Sequence, residues 1–180
     1  SPGDESLRMD LYFPSEPSAR PALVFIHGGA WTSGTKAESE QRWLSLLRQP
    51  LVSRGFIVAS IEHRLSPQYK WPAHGQDAQC AVRFLRAHAG EYGIDSGRIG
   101  AWGSSSGAHL AALLGTADDG AFGGATEWAG FSSRVSAVVD LYGPADLTSD
   151  DWPAWQVAVF PAVFATGDLN SPVLAAASPV

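Results

Sequence analysis

Arg98-Ile99-Gly100-Ala101-Trp102-Gly103-Ser104-Ser105-Ser106-Gly107-Ala108 decides how the chain is read. Arg98–Trp102 is a short run ending at a glycine, the pattern of a buried strand. Ala108–Leu114 follows directly as a small-residue helix. Between the two, Gly103–Gly107 spells G-x-S-x-G in the strand–turn–helix setting that gives this motif its meaning. Such a turn is so sharp that its central residue takes a strained backbone, and side chains at the flanking positions would clash. Glycines at 103 and 107 relieve that crowding. The Ser105 hydroxyl then projects above the sheet at the positive end of the following helix, where developing negative charge is stabilised. The competing reading is a Gly/Ser loop that merely joins strand to helix. Ser104 and Ser106 read as packing or backbone-bonding residues rather than nucleophiles.

Further strands and helices alternate on either side of this turn. Leu7–Phe13 alternates weakly and reads as an edge strand, while Ala22–His27 and Phe56–Ile61 are short buried strands. Val135–Tyr142 reads as another buried strand, closed by Gly143-Pro144. Glu38–Ser53 carries Trp43, Leu44, Leu46, Leu47 and Leu51 at helical spacing, with Pro50 placed to bend or end the helix. Pro72–His88 presents Ala78, Ala81, Val82 and Leu85 on one helical face. Strands alternating with helices imply an α/β fold, a mainly parallel sheet with helices on both faces. With no repeat and no low-complexity linker, residues 1–180 read as a single domain. Ligands of such sheets sit at the carboxyl ends of the strands, so the loops after Ile26, Ile61, Trp102 and Leu141 matter most.

Composition narrows the partners. With 45% apolar and 17% charged residues, the 180-residue chain can bury a sizeable core. A net charge of −6 argues against nucleic acid and anionic membrane surfaces. No apolar run approaches the ~18 residues of a membrane span. The single cysteine, Cys80, permits neither an internal disulfide nor a cysteine-based zinc site. The chain opens on Ser1 with no charged-then-apolar leader, so any targeting segment is expected to be removed or absent. His and carboxylate spacing fits no metal motif, and Gly28-Gly29 lacks the Lys-Ser/Thr of a phosphate loop, so no cofactor is expected. Small molecules are the expected partners.

His27-Gly28-Gly29-Ala30-Trp31 follows the first buried strand. Acyl transfer passes through a tetrahedral oxyanion, which backbone N–H groups can stabilise by a few kcal/mol. Small residues let such a loop approach closely and turn its N–H groups inward. The N–H groups of Gly29, Ala30 and Ser106 are the expected donors, and His27 reads as a structural residue. Trp31, Trp128, Trp152 and Trp155, in loop regions, suit an apolar acyl or aromatic-alcohol site, with core packing the equal competitor. Tyr69 and Trp71 are candidates for the same cleft, and Gly115–Gly130 and Asp151–Phe164 for loops above it.

At this point the sequence resembles the α/β-hydrolase family. Within it, the match is to HGGG-type carboxylesterases related to hormone-sensitive lipase and to bacterial feruloyl-esterase-like enzymes. The resemblance is carried by His27–Trp31, His63–Pro67, Trp71–Ala73, Asp77, Tyr92–Asp95, Arg98–Gly100, Trp102–Gly107 and Val138–Pro144. It implies a serine carboxylesterase with Ser105 as nucleophile, an acyl-enzyme, and an oxyanion hole at Gly29, Ala30 and Ser106. Ala30 stands in place of a third glycine. Ser104 replaces the Asp common in hormone-sensitive-lipase relatives, which favours the feruloyl-esterase-like branch. Ser106 and Ala108 depart from the usual S-A-G-G continuation.

A serine needs a base to take its proton, and in this fold the order is Ser, then acid, then His. After Ser105 the only histidine is His109, one helical turn on; it reads as a packing residue. His63 and His74 are at best substrate-contact positions at a pocket rim. Asp140, Asp146 and Asp168 have no evident histidine partner, and Asp140 reads as structural. Family members carry the acid and the histidine on two strands beyond the part that Ser171–Val180 resembles. Three arrangements follow: an incomplete domain whose further segment supplies the His and Asp, a second chain that supplies them, or an inactive remnant. The rival from another class is a non-catalytic ligand-binding homologue.

Overall fold

The computed structural model describes residues 7–15, 19–37, 42–123 and 128–180. Its frame is a five-stranded sheet in the order β1-β3-β2-β4-β5, made of β1 (Met9–Tyr12), β2 (Arg20–Ile26), β3 (Ile57–Ile61), β4 (Ile94–Ser104) and β5 (Val138–Leu141). β2, β3, β4 and β5 run parallel, and β1 joins one edge antiparallel to β3, with Met9 opposite Ile61. The helices are α1 (Arg42–Ser53), α2 (Ala73–Ala87), α3 (Ala89–Tyr92), α4 (Ser106–Thr116), α5 (Ala154–Val157), α6 (Phe160–Phe164) and α7 (Pro172–Ala177). This is the α/β architecture expected from the alternation of strands and helices.

Strand parity explains the two layers, because successive side chains leave a strand on opposite faces. Ala22, Val24 and Ile26 of β2, Ile57, Ala59 and Ile61 of β3, and Ile99 and Ala101 of β4 join one core with α2 and α4 residues such as Val82, Leu85, Leu110 and Leu114. Phe25, Val58 and Trp102 face the other way and pack with Leu44 of α1. Both parities are apolar because both faces are covered. α4 is buried nearly all round, so its short side chains let it lie close on β4 and β5. Glu38–Arg42 straddles the start of α1; of that stretch, residues 38–41 lie outside the described residues. The helix runs through Pro50 to Ser53 rather than stopping there.

One polar linchpin is buried in this frame. Arg64 forks onto Asp77 of α2, with Nε and Nη2 donating to Oδ1 at 3.0 and 2.8 Å. The Arg64 backbone N–H donates to Oδ2 at 2.8 Å, and Nη2 also reaches Gln76 Oε1. The bidentate geometry satisfies both ions where both are buried. It thereby fixes the segment after β3 against α2.

β5 departs from the sequence expectation. The apolar run Val135–Tyr142 predicts a buried strand, but the strand itself is only Val138–Leu141, and Val139 is 53% exposed. β5 is the sheet's other edge, and among the described residues nothing covers its outer face. The stretch read as loops, Asp151–Phe164, contains the short helices α5 and α6. Of Gly115–Gly130, residues 124–127 lie outside the described residues, and Phe122 is tucked against Trp71 and beside Gly75.

Candidate active site

β4 ends at Ser104 and α4 begins at Ser106, leaving Ser105 alone in the turn with φ 54° and ψ −126°. A serine in this region is strained, and the surroundings hold it there. The Ser105 N–H donates to Leu141 O of β5 at 3.0 Å. A Cβ on Gly107 would lie 2.1 Å from Ile26 O, and one on Gly103 2.5 Å from Gly107 C. A Cβ on Gly28 would sit 2.7 Å from Ser104 O. Glycine is required at all three places because the end of β2, the loop after it and the turn around Ser105 are in backbone contact. Ser106 is the first residue of α4, where an N–H has no intrahelical acceptor and faces the positive end of the dipole.

The loop after β2 supplies the facing wall. Gly29, Ala30 and Trp31 all have positive φ, 125°, 53° and 59°. For the two non-glycine residues this costs about 1 kcal/mol each. Gly29 O accepts from Thr32 N–H, Ser33 N–H and both hydroxyls of those residues, which anchors the turn. Among the described residues, no loop or turn hydrogen bond uses the N–H of Gly29 or Ala30. Behind the loop, Ser66 N–H donates to Trp31 O at 2.9 Å, linking it to the segment that Arg64 and Asp77 hold.

Ala30, Trp31, Ser105 and Ser106 line one small cleft of about 90 Å³, closed on its far side by Trp152, Trp155 and Phe160. Tyr142, Pro144, Gln156 and Val159 complete it. Trp31, Trp152 and Trp155 thus lie in the wall of the cleft beside Ser105, with Trp31 also part of the core. Trp128 does not: it packs on Phe84 and His88. Tyr69 and Trp71 also lie elsewhere, Tyr69 under the Arg64 guanidinium and Trp71 among Phe122, Phe164 and His109. A larger, shallower depression of about 740 Å³ between β1 and α1, lined by Arg20, Arg48 and Arg54, lies apart from Ser105.

The histidines form a buried column beneath the loop rather than a rim around the cleft. His27 stacks on His63 at 4.3 Å between ring centres, and His63 meets His74 edge-on at 5.8 Å. His63 and His74, read as rim positions, are buried at 4% and 0% exposure. His109 accepts from Trp31 Nε1 through Nδ1 and donates from Nε2 to Ala177 O at 2.7 Å. It is the packing residue the sequence suggested, joining the loop, α4 and α7. Burial lowers every one of these imidazoles, His63 to about 3 and His74 and His109 to about 4, so all are neutral near pH 7. Among the described residues no imidazole hydrogen-bonds Ser105, and no three His, Cys, Asp or Glu side chains group as a metal site.

The candidate acids are occupied with turns. Asp140 Oδ1 accepts from Gly143 N–H at 2.6 Å. Asp146 Oδ1 accepts from the N–H and hydroxyl of Thr148, which hold its carboxyl below the usual range. Asp168 accepts from Asn170 N–H. Two further cleft residues lie in segments the sequence marked only as wholes: Tyr142, in Val138–Pro144, at φ 54° after β5 with its hydroxyl accepting from Trp43 Nε1 at 2.7 Å, and Gln156 of α5, in Asp151–Phe164. Neither position carries a local signal of its own that would place its side chain in the cleft.

The BD-FAE family model matches residues 9–161, which spans β1 to α6 and includes every part of this site. The chain belongs to the BD-FAE family. Its curated relatives include the esterase LipC of Mycobacterium tuberculosis (strain ATCC 25618 / H37Rv), 36% identical over 134 residues, a match covering 74% of this chain and 32% of LipC. Among solved structures, a truncated carbohydrate esterase from gut microbiota superposes with a TM-score of 0.82 at 31% identity, covering 95% of this chain and 65% of that one. Thermogutta terrifontis esterase 2 phosphonylated by sarin gives 0.82 at 25% identity, covering 99% and 64%. The α/β-hydrolase fold and the carboxylesterase kinship read from the sequence both hold for this BD-FAE chain. The chain spans roughly a third of the length of the curated relatives it matches. No helix among its described residues is long and apolar enough to cross a membrane.

Proposed function

We propose that this BD-FAE chain carries the nucleophile and oxyanion hole of a serine carboxylesterase acting on small esters. One observation carries the reading: a serine held at φ 54° at the N-cap of a buried helix, across a small cleft from a loop whose Gly29 and Ala30 N–H groups are unclaimed. Ser105 Oγ attacks the ester carbonyl carbon as its proton passes to a base. The carbonyl oxygen becomes an oxyanion held by the N–H groups of Gly29, Ala30 and Ser106. The base returns the proton to the alkoxy oxygen as the C–O bond breaks, and the alcohol leaves. Water repeats the sequence on the acyl-enzyme to release the acid. Each N–H placed at the oxyanion supplies a few kcal/mol of transition-state stabilisation.

The base and its acid come from outside these 180 residues, on a further segment or a second chain. What supports this is the engagement of His27, His63, His74 and His109 in the core and of Asp140, Asp146 and Asp168 in turns. The same engagement favours one rival, a ligand-binding homologue without turnover. A fluorophosphonate probe separates them, since it labels a serine only where base and oxyanion hole are assembled. Intact mass of the whole protein is expected to rise by one adduct, and Ser105→Ala to abolish both adduct and ester hydrolysis. A whole protein that takes no adduct, or an Ser105→Ala variant that keeps substantial turnover, would overturn the assignment.

A further inference from the structure

Trp31 closes the turn that follows Gly29 and Ala30, and its indole is tied to the helix that carries the Ser105 turn. Its φ of 59° is an outlier for a bulky side chain and persists only where the surroundings fix it. Ser66 N–H holds the Trp31 backbone through its carbonyl at 2.9 Å, and Phe164 meets the indole edge-on at 5.3 Å. The indole Nε1–H donates to His109 Nδ1 at 3.3 Å, which fixes the direction of the ring. His109 sits one helical turn after Ser105 and donates its backbone N–H to Ser105 O at 3.1 Å. One buried residue is thus bonded to both the serine turn and the facing loop. Its far nitrogen decides how the indole bond runs. Ala177 O, 2.7 Å from Nε2, can only accept, so the proton of the neutral ring sits on Nε2. Nδ1 is left with its lone pair, facing an indole N–H that can only donate. Burial, which lowers the imidazole to about 4, keeps it in this neutral form.

We propose that His109 is a positioning residue: through the Trp31 indole it holds the N–H groups of Gly29 and Ala30 in register with the Ser105 turn. The inference rests on the esterase reading for what those N–H groups do, and on the geometry alone for how they are held. Ala30 precedes Trp31 directly and shares its positive φ, so a swing of the indole passes into the Ala30 peptide. A donor displaced by about 1 Å loses most of its hold on an oxyanion. That charge exists only in the transition state, so the loss falls on kcat rather than on KM. A histidine that merely filled volume would lower stability and leave both constants of the folded enzyme in place.

Two amide side chains separate the two bonds of the ring. An Asn amide reaches as far as Nδ1 and can accept from Trp31, whereas a Gln amide reaches as far as Nε2 and can donate to Ala177 O. Each variant loses one buried hydrogen bond, so a purely structural role predicts the same defect in both. With a small ester and the whole protein, His109→Gln is expected to lower kcat about 10-fold or more, with KM within about threefold. His109→Asn is expected to restore kcat to within about threefold of wild type. Trp31→Phe removes the indole N–H and keeps a ring; it should match His109→Gln, and the double variant should fall no further. Equal kcat in the Gln and Asn variants, or an unchanged kcat in Trp31→Phe, would overturn the proposal. Hydrogen exchange reads the loop without turnover. The N–H groups of Thr32 and Ser33 are bonded to Gly29 O and that of Ser66 to Trp31 O. They are expected to exchange about 10-fold faster in His109→Gln than in His109→Asn. That difference in a whole protein that hydrolyses no ester would sink the esterase reading and leave this one standing, whereas turnover without the difference does the reverse.

Discussion

Ser105 stands between two flanks built on different principles. On one side β2, β3 and β4 bury both faces, and the loop at Gly28–Trp31 rests on an ion pair, a histidine column and close backbone contacts. On the other, β5 is an edge strand, and Val139, Tyr142 and Trp155 are 53%, 67% and 69% exposed. On the proposed reading the tight flank holds what must be preorganised, N–H groups fixed where charge develops, since fixed dipoles need no reorganisation during reaction. The open flank presents what meets a substrate or another strand, and an unpaired strand edge is the part of a sheet that can accept one.

Glycine substitution probes this contrast with the largest effect. Gly107→Ala drives a methyl to 2.1 Å from Ile26 O, whereas a Cβ on Gly130, in the exposed turn after Trp128, meets nothing within 4 Å. The first is expected to cost more than about 4 kcal/mol or to abolish soluble expression, and the second to stay within about 0.5 kcal/mol. Urea denaturation of both variants checks it, and equal stabilities would mean that the tight flank's backbone contacts are not close enough to require glycine.

Next in size is the buried ion pair. Asp77→Ala leaves the Arg64 guanidinium buried without its carboxylate, an expected loss of about 3–5 kcal/mol. Breaking the exposed Arg98–Asp95 pair with Asp95→Ala should cost less than about 1 kcal/mol. Thermal denaturation distinguishes the two, and because Arg64 backs the loop through Ser66, ester hydrolysis should fall with the first only.

The histidine column makes the tight flank acid-sensitive. These rings titrate near 6.5 when unfolded but well below it when folded, at about 3 for His63 and about 4 for His74 and His109. The unfolded chain therefore binds more protons between these values. The stabilisation is complete above about pH 6.5 and is lost progressively as pH falls towards the folded values. The urea midpoint is expected to drop between about pH 7 and about pH 5; a midpoint that holds steady would mean the rings are not neutral in the fold. The smallest effect belongs to the open flank. Tyr142→Phe removes only the exposed bond from Trp43 Nε1, an expected change of about 0–1 kcal/mol in stability. A larger loss would show that Tyr142 is a structural strut rather than a cleft wall.

Several of these features were legible in the residues. Ala22–His27 betrays a strand covered on both faces because both parities are apolar, and the Gly-Ser turn after Trp102 reads as strand-to-helix because both glycines fall where a Cβ would strike backbone. His109 could be set aside because a ring fixed on α4 has little freedom to reach the turn, and its bonds to Trp31 and Ala177 agree. Burial at β5 was misread, since Val135–Tyr142 carries the same apolar signal as a central strand and only neighbours decide whether it is covered. His63 and His74 were placed at a rim because sequence cannot tell that Arg64 and Asp77 pull the segment between them inward.

The sequence by itself determined the fold class, the family and the order of loop, turn and helix around Ser105, because periodicity and obligatory glycines are local properties of the chain. Tertiary structure alone decided which aromatic residues share the cleft and which histidines sink into the core. Burial and hydrogen-bond satisfaction belong to groups far apart in sequence, and they take a value only once the elements have packed.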